Sequence, residues 1–192
     1  MSQCLFKLLS VKIAIALFIV PLTAVSSFGL TSYANYLQTE ILGLDIVPMS
    51  YQIYFKLSSV FAMFVPIIVF IFLYISINLM INYAFDERMS KKELYITLSF
   101  AFLPVLLYQY FFWYNLITYC NPSTIKTTED FLNMRFIFNL GLKDLEFISN
   151  LCWMLLYLNI IICLYLKGIT LLKVLASVVV PTALVVIFYQ IL

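Results

Sequence analysis

The chain has 192 residues, of which 65% are hydrophobic and only 10% are charged, and its net charge is +2. Soluble domains carry about 25% charged residues, and a domain of this length still exposes about 30% of the surface of its unfolded chain. The composition therefore excludes a soluble globular protein, and the lipid bilayer is the first partner we expect. The small net charge comes without a basic stripe, which excludes nucleic acid as a partner.

The sequence also lacks the residues of most catalytic and metal sites. It contains no histidine, and its four cysteines form no C-x-x-C pair. These absences exclude histidine-based acid–base catalysis, serine triads and the usual zinc sites. No glycine-rich GxxxxGK[ST] loop for a nucleotide is present either. We therefore expect no enzymatic activity, no metal and no cofactor.

Five charge-free runs are long enough to cross about 30 Å of hydrocarbon as helices. In chain order they cover about residues 13–31, 57–83, 94–114, 147–166 and 174–191. We therefore predict an all-α fold, in which residues 1–192 form a single polytopic transmembrane helical bundle of five spans.

The charges between the runs predict the direction of insertion. With the N-terminus in the cytoplasm, seven of the eleven basic residues fall on the cytoplasmic side, and six of the nine acidic residues fall outside. Basic residues concentrate in cytoplasmic loops, so we predict an N-in, C-out topology. Residues 33–56 and 116–146 then form two long outer loops.

The second outer loop contains signals for a short helix. Thr127 and Asp130 resemble the start of a capping box, and Gly141 is a typical C-terminal stop. The sequence predicts an interfacial helix or a partner-docking segment between them. Cys120 and Cys152 both lie near outer ends of spans, where an oxidising exterior would permit a disulfide bond.

Four of the five spans contain a proline. Pro104 lies near the middle of the third span, where it removes a backbone hydrogen bond and favours a kink. The other three prolines in spans are Pro21, Pro66 and Pro181. In lipid, a freed carbonyl needs another donor, and the hydroxyls of Ser99, Ser177 and Thr182 lie close enough in sequence to supply one. The kinks either shape the bundle or mark a hinge or cavity at mid-depth.

Aromatic residues gather at the outer end of the third span. They are Tyr108, Tyr110, Trp113 and Tyr114, and Trp153 falls near the same level on the fourth span. Amphipathic rings concentrate where a membrane meets water. We interpret these rings as an outer aromatic belt that anchors the helices, with stacking on a ligand as the alternative.

No charged residue lies deep in any span, which argues against an ion-coupled transporter. The polar residues of interest inside the spans are the amides Asn78, Asn82 and Asn159, of which Asn159 lies deepest. Such amides usually form hydrogen bonds between helices. The alternative is that they line a path for a substrate.

Two segments resemble the Yip1 domain family of five-span membrane proteins. One is "KKELYITLSFAFLPVLLY", residues 91–108, a short cytoplasmic turn leading into a span with a central proline. The other is "NLCWMLLYLNIIICLYLKGITLLKVLASVVVPTALVVIF", residues 150–188, a span that turns tightly and returns through a last span containing proline. The resemblance implies an integral membrane adaptor without catalytic residues. In eukaryotes this family works with small GTPases in vesicle traffic, and in bacteria it is associated with envelope and ABC-type export systems.

These observations predict a non-catalytic integral membrane scaffold or accessory subunit. Its expected partner is another membrane protein, such as an ABC-type exporter or envelope complex, or a second copy of the chain. The alternative is a small transporter or channel-like facilitator with a path between the proline-kinked helices. The short chain and its composition favour the bacterial cytoplasmic (inner) membrane as its location.

Overall fold

The computed structural model describes residues 2–41, 49–120 and 133–191, with side chains for residues 11–39, 53–120 and 133–183. Within these ranges the regular structure is helical and no β-strand occurs. The prediction of an all-α fold is therefore confirmed.

Six α-helices account for most of the described chain. They are α1 (Ser2–Ile41), α2 (Met49–Leu79), α3 (Lys91–Ala101), α4 (Leu103–Tyr119), α5 (Leu142–Leu166) and α6 (Leu171–Ile191). A π-helical turn, Met80–Ala84, continues α2. Helices α1 and α2 extend well into the predicted first outer loop, because a helix does not have to end where the hydrocarbon ends.

Four helical segments are long enough and apolar enough to cross a membrane. They are Val11–Thr39, Ile53–Ala84, Lys91–Tyr119 and Leu142–Leu166. A shorter apolar segment, Leu171–Ala183, belongs to α6, the helix predicted as the fifth span. Four to five membrane-crossing helices indicate a multi-pass membrane protein.

One of the four prolines follows a break in its helix, and the other three lie inside continuous helices. The helix of the third span is interrupted at Phe102, two residues before Pro104, and the Phe102 N–H donates to the Ser99 carbonyl at 3.1 Å. A proline cannot donate a backbone hydrogen bond, so a break just before it is the expected response. The other three prolines lie inside continuous helices: Pro21 in α1, Pro66 in α2 and Pro181 in α6.

The hydroxyls near the prolines behave differently from one another. Ser177 donates to the Lys173 carbonyl at 2.8 Å, and Thr182 donates to the Val178 carbonyl at 2.7 Å. Each bond joins a residue to the one four positions before it on α6, as is common for hydroxyls in helices. The Ser99 hydroxyl is buried and has no hydrogen-bond partner among the described residues. The prediction that Ser99 supplies a donor beside Pro104 is therefore wrong.

The chain divides into two compact units. The first unit comprises Met1–Val20, Ile67–Leu103 and Met154–Leu192, and the second comprises Pro21–Pro66 and Pro104–Trp153. The chain passes from one unit to the other at four places, and three of them fall beside Pro21, Pro66 and Pro104.

The first unit has an apolar core drawn from α2, α3, α5 and α6. Fully buried members include Ile77, Leu98, Leu156, Ile160 and Val174. An aromatic group adds to it, in which the ring of Phe70 lies edge-on to Tyr95 at 5.2 Å and to Phe102 at 5.9 Å between centroids. Edge-to-face pairs of this kind are favourable beyond the area that they bury.

The second unit is organised around a different cluster. Its fully or almost fully buried members are Leu37, Leu116, Cys120, Phe136 and Leu145. Phe136 does not come from a long helix but from the segment before α5, which folds back against the ends of α1 and α4. The ring of Phe136 lies edge-on to Phe112 and Tyr119, with centroids 6.4 and 6.5 Å apart.

The predicted helix in the second outer loop is largely contradicted where the structure describes it. Thr127 and Asp130 lie outside the described residues, and residues 133–140 contain only a single 3-10 turn, Ile137–Asn139. Phe138 and Asn139 have φ angles of 60° and 61°, which no regular right-handed helix contains.

Gly141 begins a helix rather than ending one. It immediately precedes α5, its N–H donates to a carboxylate oxygen of Asp144 at 2.7 Å, and its carbonyl accepts from the N–H of Leu145. An acidic residue in the first turn satisfies an otherwise free donor and complements the helix dipole. The same glycine signal therefore marks the opposite end of a helix from the one predicted.

Candidate functional site

The first unit contains a compact, charged turn between α2 and α3. The π-helical turn is closed by a hydrogen bond from the Phe85 N–H to the Met80 carbonyl at 3.0 Å. Asp86 follows with a φ angle of 50°, an uncommon conformation for a residue other than glycine. π-Helical turns and strained residues occur often at functional sites, so this turn is the first place to look for one.

Two amides in the spans stabilise this turn. The Asn82 amide donates to the side-chain oxygen of Asn78 at 2.8 Å, one helical turn earlier. Its own side-chain oxygen accepts from the N–H of Met89 at 2.9 Å. Asn82 thus ties the chain after the π-helical turn back onto the end of α2. Asn78 and Asn82, two of the three amides proposed to line a path, therefore form hydrogen bonds at this turn.

Lys173, near the start of α6, clamps the turn from the other side. Its ammonium lies 2.6 Å from a carboxylate oxygen of Glu87 and 3.5 Å from the Phe85 carbonyl. It also lies 6.0 Å from the centre of the Phe85 ring, within range of a cation–π interaction. Both charged side chains are about one third exposed, which places the pair at the boundary between the apolar core and the surroundings.

A second, looser pair joins α3 to the α5–α6 turn. The ammonium of Lys167 lies 3.9 Å from a carboxylate oxygen of Glu93. The backbone N–H of Glu93 donates to the hydroxyl oxygen of Ser90 at 3.2 Å, so α3 begins with a capped first turn. Gly168 follows Lys167 with a φ angle of 90°, where side chains are strained and glycine is not.

The two turns enclose a cleft of about 230 Å³. It is lined by Glu87, Arg88, Met89, Glu93, Lys167, Gly168 and Ile169. A side chain added at Gly168 would meet nothing within 4 Å, so the cleft is open at that point. We call these seven residues the turn cleft. Its lining combines charges of both signs with two apolar side chains, and it has the size of a small polar group rather than of a large metabolite.

Nothing in the described residues indicates a metal centre. No group of three or more histidine, cysteine, aspartate or glutamate side chains comes together among them. Each carboxylate of the turn cleft also has a lysine beside it, which compensates its charge. The arrangement is suited to electrostatic recognition by its cationic groups.

Asn159 differs from the other two amides. It lies in the middle of α5 and is half-buried, and its side chain makes no hydrogen bond to any other residue that the structure describes. Its neighbours Leu155, Leu158 and Ile162 are exposed. An amide at this depth in a span is costly without a hydrogen-bond partner.

The residues predicted as an aromatic belt occupy three different environments. Tyr110 and Tyr114 are exposed, as an anchoring role requires. Tyr108 is buried and its hydroxyl donates to the Leu145 carbonyl at 2.8 Å. Trp113 packs on Gly29 of α1, where an added Cβ would lie 3.1 Å from the indole ring. Trp153 is half-buried on α5.

Some hydrogen bonds of the second unit involve polar residues for which the sequence predicted no particular partner. The Gln109 amide donates to the Ser27 hydroxyl and its side-chain oxygen lies beside the Ser26 hydroxyl, both at 2.6 Å. The Asn35 amide reaches the Phe55 carbonyl at 2.8 Å, joining α1 to α2. A glutamine inside a span is a signal for such a bond, but its partner cannot be identified from spacing alone.

The described cysteines are free thiols. They are Cys120, which is buried, and Cys152 and Cys163, which are half-buried. Cys120 lies beside Met134, with 3.6 Å between the two sulfur atoms. The disulfide that the sequence permitted between Cys120 and Cys152 is not formed in the structure.

Comparisons with known proteins identify no relative of this chain: no family model matches it, and no characterised protein or solved structure matches it significantly.

Proposed function

We propose that the protein is a non-catalytic scaffold or accessory subunit that binds another membrane protein through α5. The observation that carries the proposal is the amide of Asn159, which has no hydrogen-bond partner among the described residues. A helix of a partner protein that presents a polar group at the same depth would supply one. Interhelical bonds of this kind contribute about 1–2 kcal/mol in membranes.

The surroundings of Asn159 support contact with a helix. Leu155, Leu158 and Ile162, which lie one helical turn or less away, are between 37% and 48% exposed. An apolar stripe with one polar residue is typical of a helix surface that selects its partner by a single hydrogen bond, because lipid already satisfies the apolar groups.

A transport path has less support. A path needs polar groups on facing helices, and two of the three amides proposed for it, Asn78 and Asn82, are engaged in the turn after α2. The resemblance to the Yip1 domain family also favours an adaptor. On this resemblance, we propose that the partner is an exporter or envelope complex of the bacterial cytoplasmic membrane. In the proposed N-in, C-out topology, the turn cleft faces the cytoplasm.

The test is native mass spectrometry of the protein extracted from its own membrane in a mild detergent. We expect a hetero-complex of fixed stoichiometry. Asn159→Leu should weaken the complex by about five- to thirtyfold, which corresponds to the loss of one interhelical bond. The matched control is Asn150→Leu, because it makes the same chemical change at an exposed position on the same helix. This control should leave the complex intact.

Two results would contradict the proposal. If the wild-type extract contains only a monomer, the protein does not bind a stable partner. If the complex survives Asn159→Leu unchanged, the partner does not bind through the amide on α5. The facilitator is tested separately by the variant Asn159→Cys and a membrane-impermeant thiol reagent. Rapid labelling of that cysteine in intact membranes would show that water reaches mid-depth, and would favour a path over a scaffold.

A further inference from the structure

Positive charge is concentrated around the turn cleft. Residues 85–93 and 167–173 contain five basic side chains and three acidic ones: Arg88, Lys91, Lys92, Lys167 and Lys173 against Asp86, Glu87 and Glu93. This excess equals the net charge of the whole chain. The rest of the sequence therefore has a net charge of zero, and the net positive charge of the protein comes from these two segments.

Within the cleft, Arg88 is the cation without a counter-charge. Glu87 is held by Lys173 at 2.6 Å, and Glu93 lies 3.9 Å from Lys167. Arg88 makes no ion pair with any residue that the structure describes, and its side chain is exposed along the cleft. A guanidinium presents several donors in a planar fork, which matches two oxygens of a phosphate.

The cleft also lies where helices end. The apolar segments Ile53–Ala84 and Leu142–Leu166 stop beside it, and Lys91–Tyr119 begins beside it. For helices that cross a membrane, such ends lie at the level of the lipid headgroups. The cleft lining itself holds two basic and two acidic side chains, and further basic side chains lie next to it in sequence. Basic side chains at this level attract anionic headgroups.

We propose that the turn cleft binds a negatively charged phosphate group, with Arg88 as the residue that contacts it. The ends of the three apolar segments favour the headgroup of an anionic phospholipid as its source, and a soluble phosphate ester is the other source of the same chemistry. The cleft volume of about 230 Å³ accommodates a phosphate and a small alcohol such as glycerol. Gly168, with open space beyond its Cα, leaves room for entry. This inference does not depend on the scaffold function.

The experiment uses the purified full-length chain and native mass spectrometry with added phosphatidylglycerol or phosphatidylcholine. We expect the wild type to retain the anionic lipid in preference to the zwitterionic one. Arg88→Gln should reduce that preference by about five- to tenfold. Arg88→Lys, which keeps the charge but not the fork, should reduce it less. The matched control is Lys92→Gln, an equal loss of charge at an exposed residue outside the cleft lining.

A third arm identifies the source of the phosphate. If soluble glycerophosphate does not displace the lipid, the ligand is a lipid; if it displaces the lipid at similar concentrations, the acyl chains contribute nothing and the ligand is a soluble ester. Either result supports the proposal when binding depends on Arg88. Equal losses in Arg88→Gln and Lys92→Gln would overturn it, since they indicate a diffuse basic surface. No preference for the anionic lipid and no binding of glycerophosphate in the wild type would overturn it as well.

Discussion

The first unit contains both ion pairs that occur among the described residues, whereas the helices of the second unit contact one another through neutral hydrogen bonds and aromatic packing. In the first unit, Lys173 and Lys167 contact Glu87 and Glu93 at the ends of helices. In the second unit, amides, hydroxyls and backbone groups make the contacts between helices, as Gln109 does with Ser27. Charged side chains are tolerated mainly near helix ends, because the free-energy cost of removing an ion from water grows with depth in a bilayer.

The polar groups of the two units also differ in what they can contribute: those of the first unit to ligand binding and those of the second unit to stability. The charged groups of the first unit are partly exposed, so they contribute little to stability and remain available to a ligand. The neutral groups of the second unit are largely buried and satisfied, as shown by Asn115, which donates to the Phe111 carbonyl and accepts from the Ile137 N–H. A buried amide whose nitrogen and oxygen are both hydrogen-bonded favours one arrangement of the chain.

The largest effect should come from the aromatic core of the second unit. Phe136→Ala removes a ring that is 3% exposed in the cluster with Leu116 and Leu145, and we expect a loss of about 3 kcal/mol in the free energy of unfolding. Phe138→Ala is the matched control, since that ring lies two residues away and is 83% exposed. Unfolding by a denaturing detergent, followed by tryptophan fluorescence, gives both values. Equal losses in the two variants would show that the segment before α5 is not packed as described.

A smaller effect should follow from breaking the neutral bond between α1 and α4. Gln109→Leu removes the contacts with Ser26 and Ser27, and we expect a loss of about 1 kcal/mol. Because the groups are uncharged, this loss should be the same at low and high salt. The measurement is the same detergent titration at two ionic strengths, with the neighbouring exposed Tyr110→Leu as control. A loss that shrinks with salt would contradict the neutral character of this contact.

The ion pair of the first unit should give the opposite salt response. Glu87→Gln removes the partner of Lys173, and because both side chains are about one third exposed we expect a loss of only about 0.5 kcal/mol. This loss should become smaller at about 1 M salt, where the screening length falls to about 3 Å, close to the 2.6 Å that separates the two charges. Lys92→Gln, which breaks no described ion pair, serves as the control. If Glu87→Gln costs as much as Gln109→Leu at both salt concentrations, the contrast between the units fails.

The sequence predicts the helices better than their contacts. Runs such as residues 57–83 are visible because lipid imposes a minimum apolar length on a single segment. The break at Phe102 follows from Pro104 in the same local way. By contrast, the position of Phe136 in a core depends on a hydrogen bond from the neighbouring Ile137 N–H to Asn115. Gly141 starts a helix instead of ending one because its N–H donates to Asp144. Such partnerships arise only once distant parts of the chain meet.

The turn cleft shows the same limit. Charges in residues 86–93 indicate a turn outside the lipid, and two of the amides in the spans, Asn78 and Asn82, are recognisable as polar groups in apolar runs. Helix α6 approaches the π-helical turn, and this brings Lys173 into contact with Glu87. Arg88 is then left without an ion partner among the described residues. Sequence spacing cannot specify that approach.

The smallest effect at neutral pH concerns the thiol in the second unit's core. Burial raises the pKa of Cys120 to about 11, from an ordinary value of 9.0. The thiolate is the reactive form, so Cys120 should react slowly with a maleimide at pH 8 in the folded protein and rapidly after unfolding; Cys120→Ser identifies its contribution to the total labelling. Since the folded pKa is raised, the unfolded chain loses the proton first, and stability should fall as pH rises from about 9 towards 11. A fast reaction at pH 8 would mean that the cluster around Leu37 and Leu116 opens readily, and that neutral packing does not hold this unit as firmly as its burial indicates.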